Sequence, residues 1–462
     1  MKSDKKRTIR ITILIVALVF ATLQTTQAVA GYPTPDLAWH NPVLYGDVTD
    51  VAIGDLTGNG VADVAYVDTE YDTLSAVYGI NGTNYWQDVN MTRGYSIAIG
   101  DVDGDDKNEV VAGGLKWPTG NRGIFVFEDN GTEKFVYNTR SEYVKDIELG
   151  DVDNDGVDDI VACNNGVEGW IYAFNGTDGG NLTGWPQGFD ESIEDIAIGN
   201  LDENPGLDIA AISHTISPPT LYVFNSTGDF MWINTTVYGR SVEIGNVDND
   251  PEEEVVIGDM NSNNVYVYNG STGTLEYSFD TIKPPSEVEL GDLDGDTSDL
   301  EIAVITGYAV DDTIYAIDID AAGQVNEMWS FSIDWTPYYY GEALAIGDVD
   351  GDNKNEVIAA SDSDGYKVWA FDGLDSNGDG MGDVVWMYDL ASHPNDVEVG
   401  DVDDDGDMDV IVGTNHEGVG SVYALFTKES APEVPTLTPI GLTALVSLLS
   451  AIAAVAIVRK RR

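Results

Sequence analysis

The sequence predicts an all-β fold, and within that class a β-propeller of eight blades followed by one C-terminal transmembrane helix. An acidic loop recurs eight times in register along the 462 residues. Each repeat carries four short runs rich in valine, isoleucine and tyrosine, broken by glycine, asparagine and aspartate. That pattern is typical of strands joined by hairpins. The period of about fifty residues matches a four-stranded propeller blade.

The acidic loops follow one another at intervals of 46 to 56 residues. Self-similarity at such a period indicates a repeat architecture. In the fifth repeat the predicted strands are Ser241 to Ile244, Val255 to Ile257, Val265 to Tyr268 and Leu275 to Phe279. A ring of seven blades with one irregular repeat is the alternative to eight. The loops open at Asp55, Asp101, Asp151, Asn200, Asn246, Asp292, Asp348 and Asp401.

Residues 1–30 are predicted to form a secretory signal peptide. Five basic residues precede an apolar run from Ile11 to Leu23, and Ala28-Val29-Ala30 offers small residues for cleavage. An uncleaved membrane anchor is the alternative, but the run is shorter than the roughly 20 residues that a span needs. We therefore expect an exported protein.

The propeller is expected to cover residues 31–430, with its N-terminal strand closing the ring. Leu37 to His40 resembles the fourth strand of later repeats, such as Met328 to Ser330. The last repeat has three strands and ends near Val422 to Phe426. If the N-terminal strand completes it, no sheet edge is left open to aggregate.

The acidic loops have the composition of calcium sites. In the third loop, Asp151, Asp153, Asp155 and Asp159 occupy positions 1, 3, 5 and 9. Carboxylates this close repel one another unless a cation lies between them. Many oxygen ligands favour calcium over zinc or copper, so we expect about eight or nine calcium ions. An EF-hand is ruled out, because position 12, where it has glutamate, is Ala112, Ala162, Ala359 or Val412 in loops two, three, seven and eight, and because the flanks are strand-like.

The eight loops are not equal. The first is the weakest, because Thr57 and Asn59 replace carboxylates. Loops four and five carry Pro205 and Pro251 at position 6, where a φ near −65° requires a different turn. The sixth has one extra residue, which makes Glu301 its last ligand. The predicted ligands are Asp55, Thr57, Asn59 and Asp63; Asp101, Asp103, Asp105 and Glu109; Asp151, Asp153, Asp155 and Asp159; Asn200, Asp202, Asn204 and Asp208; Asn246, Asp248, Asp250 and Glu254; Asp292, Asp294, Asp296 and Glu301; Asp348, Asp350, Asp352 and Glu356; Asp401, Asp403, Asp405 and Asp409.

A ninth loop lies out of register with the others. It offers Asp375, Asn377, Asp379 and Asp383, and it is expected in the hairpin between the third and fourth strands of blade seven. Such a hairpin shares a face with the other loops, so it is a further candidate calcium site. A polar hairpin rich in glycine and aspartate is the alternative.

The composition changes after Glu429. Residues 431–438 form a short, stiff linker with two prolines. Pro439 to Val458 is 20 residues without a charge, which is enough to span a bilayer, and the basic residues 459–462 should stay cytoplasmic. A buried core helix is the alternative. The propeller would then face outward at the cell surface.

The formal net charge of −60 disfavours binding to nucleic acids or to anionic membrane surfaces. Cys163 is the only cysteine, so no internal disulfide can form. Calcium can supply the cross-links that exported proteins often take from disulfides. Eight Asn-X-Ser/Thr sequons allow glycosylation, although many of them read equally well as hairpin turns.

The Ile-Gly-Asp-Val-Asp-Gly-Asp segments at Ile99 to Asp105 and Ile346 to Asp352 resemble the FG-GAP/VCBS repeat family, calcium-loop propellers related to the integrin α-subunit head. The resemblance covers about 31–430 and implies that the loop carboxylates bind structural calcium. Third strands such as Ile171 to Phe174 also resemble the repeats of quinone-dependent dehydrogenase propellers. The tail from Val434 is similar to the C-terminal sorting and anchoring segments of archaeal surface proteins, a resemblance that implies cleavage and replacement of the tail as the alternative to its retention.

The leading functional hypothesis is a non-enzymatic, calcium-stabilised surface propeller that mediates adhesion or binds a glycan or another surface protein. Because the calcium loops join strands one and two, ligand contacts are expected on the opposite face. Exposed rings there can stack on sugars or anchor a protein, although packing over a blade edge is the alternative. The ligand candidates are Trp335, Tyr338, Tyr339 and Tyr340, and weaker ones are Trp117, Tyr238, Arg240 and His393.

Two other functions stay open. Some polysaccharide lyases that resemble this repeat pattern use an eight-bladed calcium propeller, and their chemistry needs a base and a cation. The four histidines (His40, His214, His393 and His416) form no recognised constellation, and no nucleophile elbow or zinc signature is present. The third possibility is a purely structural envelope protein.

Overall fold

The computed structural model describes residues 32–426, except for 45, 70–72, 141–142, 167, 203, 214–218, 308–311, 334–341, 363–364 and 416–418. The described residues form 33 β-strands, numbered in chain order, in eight antiparallel sheets. None of them belongs to a helix with the length and hydropathy of a membrane span. The predicted signal peptide, linker, transmembrane helix and basic end lie outside the described residues.

Each sheet is a blade of four strands in chain order, apart from the last. The first strands are β2 (Val48–Gly54), β7 (Ile97–Gly100), β11 (Val144–Gly150), β15 (Ile193–Gly199), β19 (Val242–Gly245), β23 (Pro285–Gly291), β27 (Glu342–Gly347) and β31 (His393–Gly400). The second strands are β3 (Asp63–Asp68), β8 (Glu109–Lys116), β12 (Asp159–Asn164), β16 (Asp208–Ser213), β20 (Glu254–Asp259), β24 (Glu301–Thr306), β28 (Glu356–Ser361) and β32 (Asp409–Asn415).

The third and fourth strands complete each blade. The third strands are β4 (Leu74–Val77), β9 (Asn121–Phe127), β13 (Gly169–Phe174), β17 (Leu221–Phe224), β21 (Asn264–Asn269), β25 (Asp312–Ile319), β29 (Lys367–Asp372) and β33 (Val419–Phe426). The fourth strands are β5 (Asn84–Asp88), β10 (Glu133–Asn138), β14 (Gln187–Phe189), β18 (Phe230–Asn234), β22 (Leu275–Asp280), β26 (Val325–Ile333), β30 (Val384–Asp389) and, in blade eight, β1 (Asp36–Leu44). An additional short strand, β6 (Met91–Thr92), pairs with β8.

The ring closes through the N-terminal strand, as predicted. Strand β1 pairs antiparallel with β33, with His40 opposite Tyr423. The first strands of successive blades contact one another around the axis, and β31 of blade eight contacts β2 of blade one. The eight-bladed prediction is therefore confirmed, and the seven-bladed alternative is wrong.

The hydrophobic core lies between the blades rather than within them. One buried cluster, for example, joins Ile305 and Trp329 of blade six to Val357 and Phe371 of blade seven. Second strands such as β12, β16 and β28 are buried along their whole length, because both of their faces are covered by neighbouring blades. Every blade therefore depends on its neighbours for burial.

Tryptophans of the fourth strands tie successive blades together. The indole N–H of Trp329 donates to the Gly373 carbonyl of the next blade at 2.9 Å, and that of Trp86 donates to the Asp129 carbonyl at 2.9 Å. Trp39 and Trp232 make the same bond to the hairpin between the third and fourth strands of the following blade. From the sequence, these tryptophans were recognised only as recurring residues of the fourth strand, and their hydrogen bonds between blades were not predicted.

Replacing Trp329 with Ala should destabilise the propeller by about 3–5 kcal/mol, since the ring is fully buried and its removal leaves a cavity. Urea unfolding followed by tryptophan fluorescence measures the change. Trp117→Ala is the matched control, because Trp117 is 63% exposed and its loss should change stability by no more than about 0.5 kcal/mol. Equal effects of the two substitutions would contradict the inter-blade role of Trp329.

Candidate cation loops and axial cavities

All eight acidic loops join the first strand of a blade to the second, so they share one face of the ring. In every blade the last glycine of the first strand pairs with the acidic residue that closes the loop (position 9, or position 10 in the sixth loop), as Gly150 does with Asp159. The last position of the first strand requires glycine, because a Cβ there would clash with the next blade. A Cβ on Gly199 would lie 2.2 Å from Ile244 Cγ2 of the next blade.

Backbone N–H groups inside each loop hold the carboxylates in place. In the third loop, Asp151 accepts N–H bonds from Asp155 at 2.9 Å and Gly156 at 3.0 Å. Asp153 accepts one from Asp155 at 3.1 Å, and Asp155 accepts one from Val157 at 3.0 Å. These are Asx-type turns, which form without a ligand. They leave further lone pairs of each carboxylate available to a cation.

Several loops bring three carboxylates together. In the third loop, one carboxylate oxygen each from Asp151, Asp153 and Asp159 lies within 4.8 Å of the other two. The second and sixth loops show the same convergence. Their members are Asp101, Asp103 and Glu109, and Asp292, Asp294 and Glu301. Glu301 thus takes the place that the sequence predicted for it despite the extra residue.

Five of the eight loops share one backbone conformation, whereas loops four, five and six lack a positive φ at position 6. Positions 4 and 6 have positive φ in loops one, two, three, seven and eight, as at Asn154 (59°) and Gly156 (92°). Loop four has positive φ at Gly206 (98°), one position later, and loop five has it at Asn249 (67°), position 4. Proline at position 6 cannot adopt positive φ. The prediction of a different turn in loops four and five is confirmed.

The acidic residue at position 9 is buried in every blade. One of its oxygens usually accepts the N–H of position 2, for example at 2.8 Å from Val349 to Glu356. The second oxygen is buried without a hydrogen-bond partner among the described residues at Glu109, Glu254 and Asp409. Buried carboxylate oxygens are normally paired, so each of these requires a proton or a cation.

The buried acidic residue that ends each loop, called the closing acid below, has a raised pKa in several blades. Burial, with neighbouring loop carboxylates, raises the pKa of Glu109, Glu254, Glu356 and Asp409 to about 8. Removal from water disfavours the charged form, and like charges add to that effect. A divalent cation in the loop would reverse both contributions.

Two acidic residues that were not predicted as ligands from the sequence add carboxylates to the loops. Carboxylate oxygens of Asp103, Asp105 and Glu128 converge within 4.8 Å, as do those of Asp248, Glu254 and Glu276. Glu128 lies in the hairpin between strands three and four, and Glu276 lies on a fourth strand. Each predicted ligand set was confined to one continuous loop, so it could not include residues from other parts of the blade.

Lys134 lies next to the second loop. Its ammonium group is 3.1 Å from Glu128 and also forms an ion pair with Asp103. A cation bound there would compete with this ammonium group for the same oxygens. In the fourth loop, Asn204 donates its backbone N–H to Asp202 Oδ1 at 2.6 Å and its side-chain amide to Asp202 Oδ2 at 2.7 Å.

The ninth loop has the conformation of loops one, two, three, seven and eight, although it joins β29 to β30. Its Gly378 (73°) and Gly380 (77°) repeat the two positive φ values. Asp375 accepts N–H bonds from Gly378 at 2.7 Å and Gly380 at 2.6 Å, as the first aspartate of the other loops does. Asp383 is instead bonded by Ser376 and Asn377, so its oxygens are already satisfied.

Two connected cavities occupy the axis of the ring. The outer cavity has a volume of about 620 Å³ and lies where the first strands begin, on the face opposite the acidic loops. The inner cavity has a volume of about 240 Å³ and lies further along the axis. The lining of the outer cavity includes Thr49, Tyr95, Lys145, Arg240, Glu287 and Asn395. The lining of the inner cavity includes Asp50, Asp146, Glu148, Glu289, Asp396 and Glu398.

The outer cavity offers hydrogen-bonding groups of both kinds. Lys145 forms an ion pair with Glu194 at 3.3 Å. Arg240 is half-buried, and no carboxylate of the described residues lies within ion-pair distance of its guanidinium group. Its donors can therefore bond to a ligand. Of the ligand residues predicted from the sequence, Arg240 lines this cavity.

The other predicted ligand residues do not meet at one site. Trp335, Tyr338, Tyr339 and Tyr340 lie outside the described residues. Trp117 is exposed at the hairpin between β8 and β9. His393 Nδ1 lies 3.5 Å from Asp362, and the His40 ring stacks on Tyr423 with centroids 4.5 Å apart. Neither of these two histidines lines an axial cavity.

Solved structures share this architecture. The rhamnogalacturonan lyase PL11 of Bacillus licheniformis is 14% identical, with a TM-score of 0.54 over 86% of this chain and 74% of its own. The rhamnogalacturonan lyase YesW is 14% identical, with a TM-score of 0.53 over 87% of this chain and 75% of its own. BBS1N, crystallised in complex with ARL6DN, is 12% identical, with a TM-score of 0.51 over 87% of this chain and 98% of its own. The chain is an eight-bladed β-propeller.

At these identities the likeness establishes the propeller fold alone. No protein family model and no curated protein sequence matches the chain. The resemblance to FG-GAP/VCBS repeats therefore stays a prediction from the loop sequences.

Proposed function

We propose that this protein is a calcium-stabilised propeller of the FG-GAP/VCBS type that is exported and held at the cell surface, where it binds a ligand without catalysis. The buried, unpaired carboxylate oxygens of Glu109, Glu254 and Asp409 carry the calcium part of the proposal. Calcium accepts six to eight oxygen ligands, including carboxylates and backbone carbonyls. Export and surface anchoring rest on the signal and tail sequences.

The outer cavity is the proposed ligand site. A volume of about 620 Å³ accommodates a ligand of a few sugar rings or a short peptide segment. Its walls carry hydroxyl, amide, carboxylate and guanidinium groups, which match the hydroxyl groups of a glycan. Tyr95 adds an aromatic ring to this lining, and aromatic rings provide apolar faces for sugars. A glycan is therefore the preferred ligand class, and a protein partner is the alternative.

A lyase needs a base close to a sugar carbon. The described histidines lie away from the outer cavity, but Lys145, Tyr95 and the carboxylates in its lining are groups of a suitable type. The lyase alternative therefore stays open, and the same experiment tests it.

Native electrophoresis of the protein through gels that contain different polysaccharides, with and without calcium, should show retardation in at least one gel. Arg240→Ala should weaken that retardation by about tenfold or more, because a lost charged hydrogen bond costs about 1.5–3 kcal/mol. Arg93→Ala is the control, since Arg93 lies on a connection of the same face but does not line the cavity.

Each outcome has a distinct meaning. Retardation that Arg240→Ala leaves unchanged would contradict the outer cavity as the glycan site. A cleared zone in a gel would contradict the non-enzymatic proposal and favour the lyase. Unaltered migration in all gels would contradict the glycan as ligand and leave the protein partner.

A further inference from the structure

Most fourth strands contain a β-bulge near the end that faces the acidic loops. In seven of the eight blades, one residue of the fourth strand is left out of the pairing with the third strand. Such bulges re-aim side chains relative to the regular alternation of a strand. The bulge residues are Ala38, Tyr85, Lys134, Met231, Glu276, Met328 and Val385. Two of these seven residues are charged, and their charges are opposite.

In blade two, the bulge residue contacts the acidic loop. The ammonium group of Lys134 forms an ion pair with Asp103, which is position 3 of loop two. The same group lies 3.1 Å from a carboxylate oxygen of Glu128. A charged side chain at the bulge therefore reaches position 3 of the loop, and here it brings a positive charge to the loop carboxylates.

In blade five, Glu276 occupies the same position with the opposite charge. One carboxylate oxygen each from Asp248, Glu254 and Glu276 lies within 4.8 Å of the other two, and Asp248 is position 3 of loop five. The next residue of the strand, Tyr277, donates its hydroxyl group to Asp248 at 3.0 Å. The fourth strand is thus held against the loop. No described residue donates a hydrogen bond or forms an ion pair with the Glu276 carboxylate.

The buried member of this cluster, Glu254, lacks a partner for one oxygen. Its side chain is fully buried, and Oε2 accepts the N–H of Val247 at 3.1 Å. Oε1 is buried without a hydrogen-bond partner among the described residues. Glu276 adds a third negative charge beside this group, and no ammonium group offsets it as Lys134 does in blade two. A buried, unpaired carboxylate oxygen next to two further carboxylates indicates a missing positive ligand.

We propose that Glu276 is a ligand of the cation in loop five, so that one ion joins the fourth strand to the loop. The inference rests on the proposed calcium binding, and it adds a ligand that lies outside every loop. Calcium accepts six to eight oxygens, so a carboxylate from the fourth strand can supplement the loop ligands. Since the number of charged ligands sets calcium affinity, Glu276 strengthens binding in loop five.

The test compares crystals of the wild type, Glu276→Gln and Asp280→Asn. The control Asp280→Asn removes the same charge from an exposed position at the far end of the same strand. Crystals are equilibrated at a series of buffered calcium concentrations, and the anomalous peak in loop five is compared with that in loop three of the same crystal. In the wild type, a Glu276 oxygen should lie within 2.3–2.6 Å of the ion. Glu276→Gln should raise the half-saturating calcium concentration of loop five by about tenfold or more, relative to loop three, and Asp280→Asn should leave it unchanged.

Thermal unfolding in solution provides a second measurement. Without calcium, Glu276→Gln should melt no lower than the wild type, because a like charge beside Asp248 and Glu254 is gone. The increase in melting temperature on adding calcium should be smaller for Glu276→Gln than for the wild type, since a weaker site contributes less stabilisation. For Asp280→Asn the increase should equal that of the wild type.

The outcomes separate this proposal from calcium binding as such. Loop five may fill at the same calcium concentration in the wild type and Glu276→Gln, with equal increases in melting temperature; that result overturns the role of Glu276 and leaves calcium in the loops. A wild-type ion in loop five without a Glu276 oxygen among its ligands overturns it equally. Loops that all stay without an ion contradict the proposed calcium binding, and the role of Glu276 falls with it.

Discussion

Removing calcium is expected to lower the melting temperature of the protein by on the order of 20 °C. Each ion that binds only the folded chain at 100 times its Kd contributes about 2.7 kcal/mol, and about eight or nine sites act together. A propeller of this size unfolds with a large entropy, so the summed free energy converts to a shift of that order. The closing acids Glu109, Glu254 and Asp409 lose the cation that pairs their buried oxygens.

Differential scanning calorimetry with and without calcium measures the shift. The control is sodium at equal ionic strength, because a chain with a net charge of −60 gains stability from screening alone. Magnesium at the same concentration tests ion selectivity. A melting temperature that is the same in calcium and in ionic-strength-matched sodium would contradict structural calcium.

The metal-free protein is expected to lose stability as the pH rises from about 5 to about 8. The pKa of Glu109, Glu254, Glu356 and Asp409 is raised to about 8 in the folded chain, and that of Asp159 and Glu301 to about 7. In the unfolded chain these carboxyls titrate near 4 to 4.5. Between the two pKa values the folded state binds more protons than the unfolded state, so the free energy of unfolding falls as pH increases.

Calcium should flatten this pH dependence, because the ion replaces the proton on the closing carboxylates. Thermal melts of metal-free and calcium-saturated protein between pH 5 and 9 compare the two conditions. Parallel pH profiles would contradict cation binding at the closing acids. The variant Glu254→Gln should make the metal-free profile shallower, while Glu168→Gln at an exposed position outside the loops should leave it unchanged.

The geometry of the repeats was predictable because it depends on residues that are close together in the sequence. Acidic residues at positions 1, 3, 5 and 9 lie within one hairpin, so their convergence needs no knowledge of the rest of the chain. The closing strand was predictable too, since Trp39 and its neighbours match the fourth strands of other blades and the last repeat lacks one. Proline at position 6 correctly indicated the different turn of loop five.

The axial features were not predictable, because they form only when the ring closes. Glu148, Glu289 and Glu398 each look like a solvent-facing residue of an alternating strand. Their convergence depends on the number of blades and on the register of three first strands. The contributions of Glu128 and Glu276 to loops two and five likewise come from other parts of the same blade, a hairpin and a fourth strand. The sequence offers no local signal for either arrangement.

The central claim is that the acidic loops bind calcium, and a crystal structure grown with calcium tests it most directly. Anomalous difference maps should show a peak in loops two, three, five, six and eight at least, with side-chain oxygens of positions 1, 3 and 5 and of the last acidic residue of each loop at 2.3–2.6 Å. The oxygens Glu109 Oε1, Glu254 Oε1 and Asp409 Oδ1 should be among those ligands. Loops that hold only waters at hydrogen-bonding distances, without anomalous signal, would contradict the account.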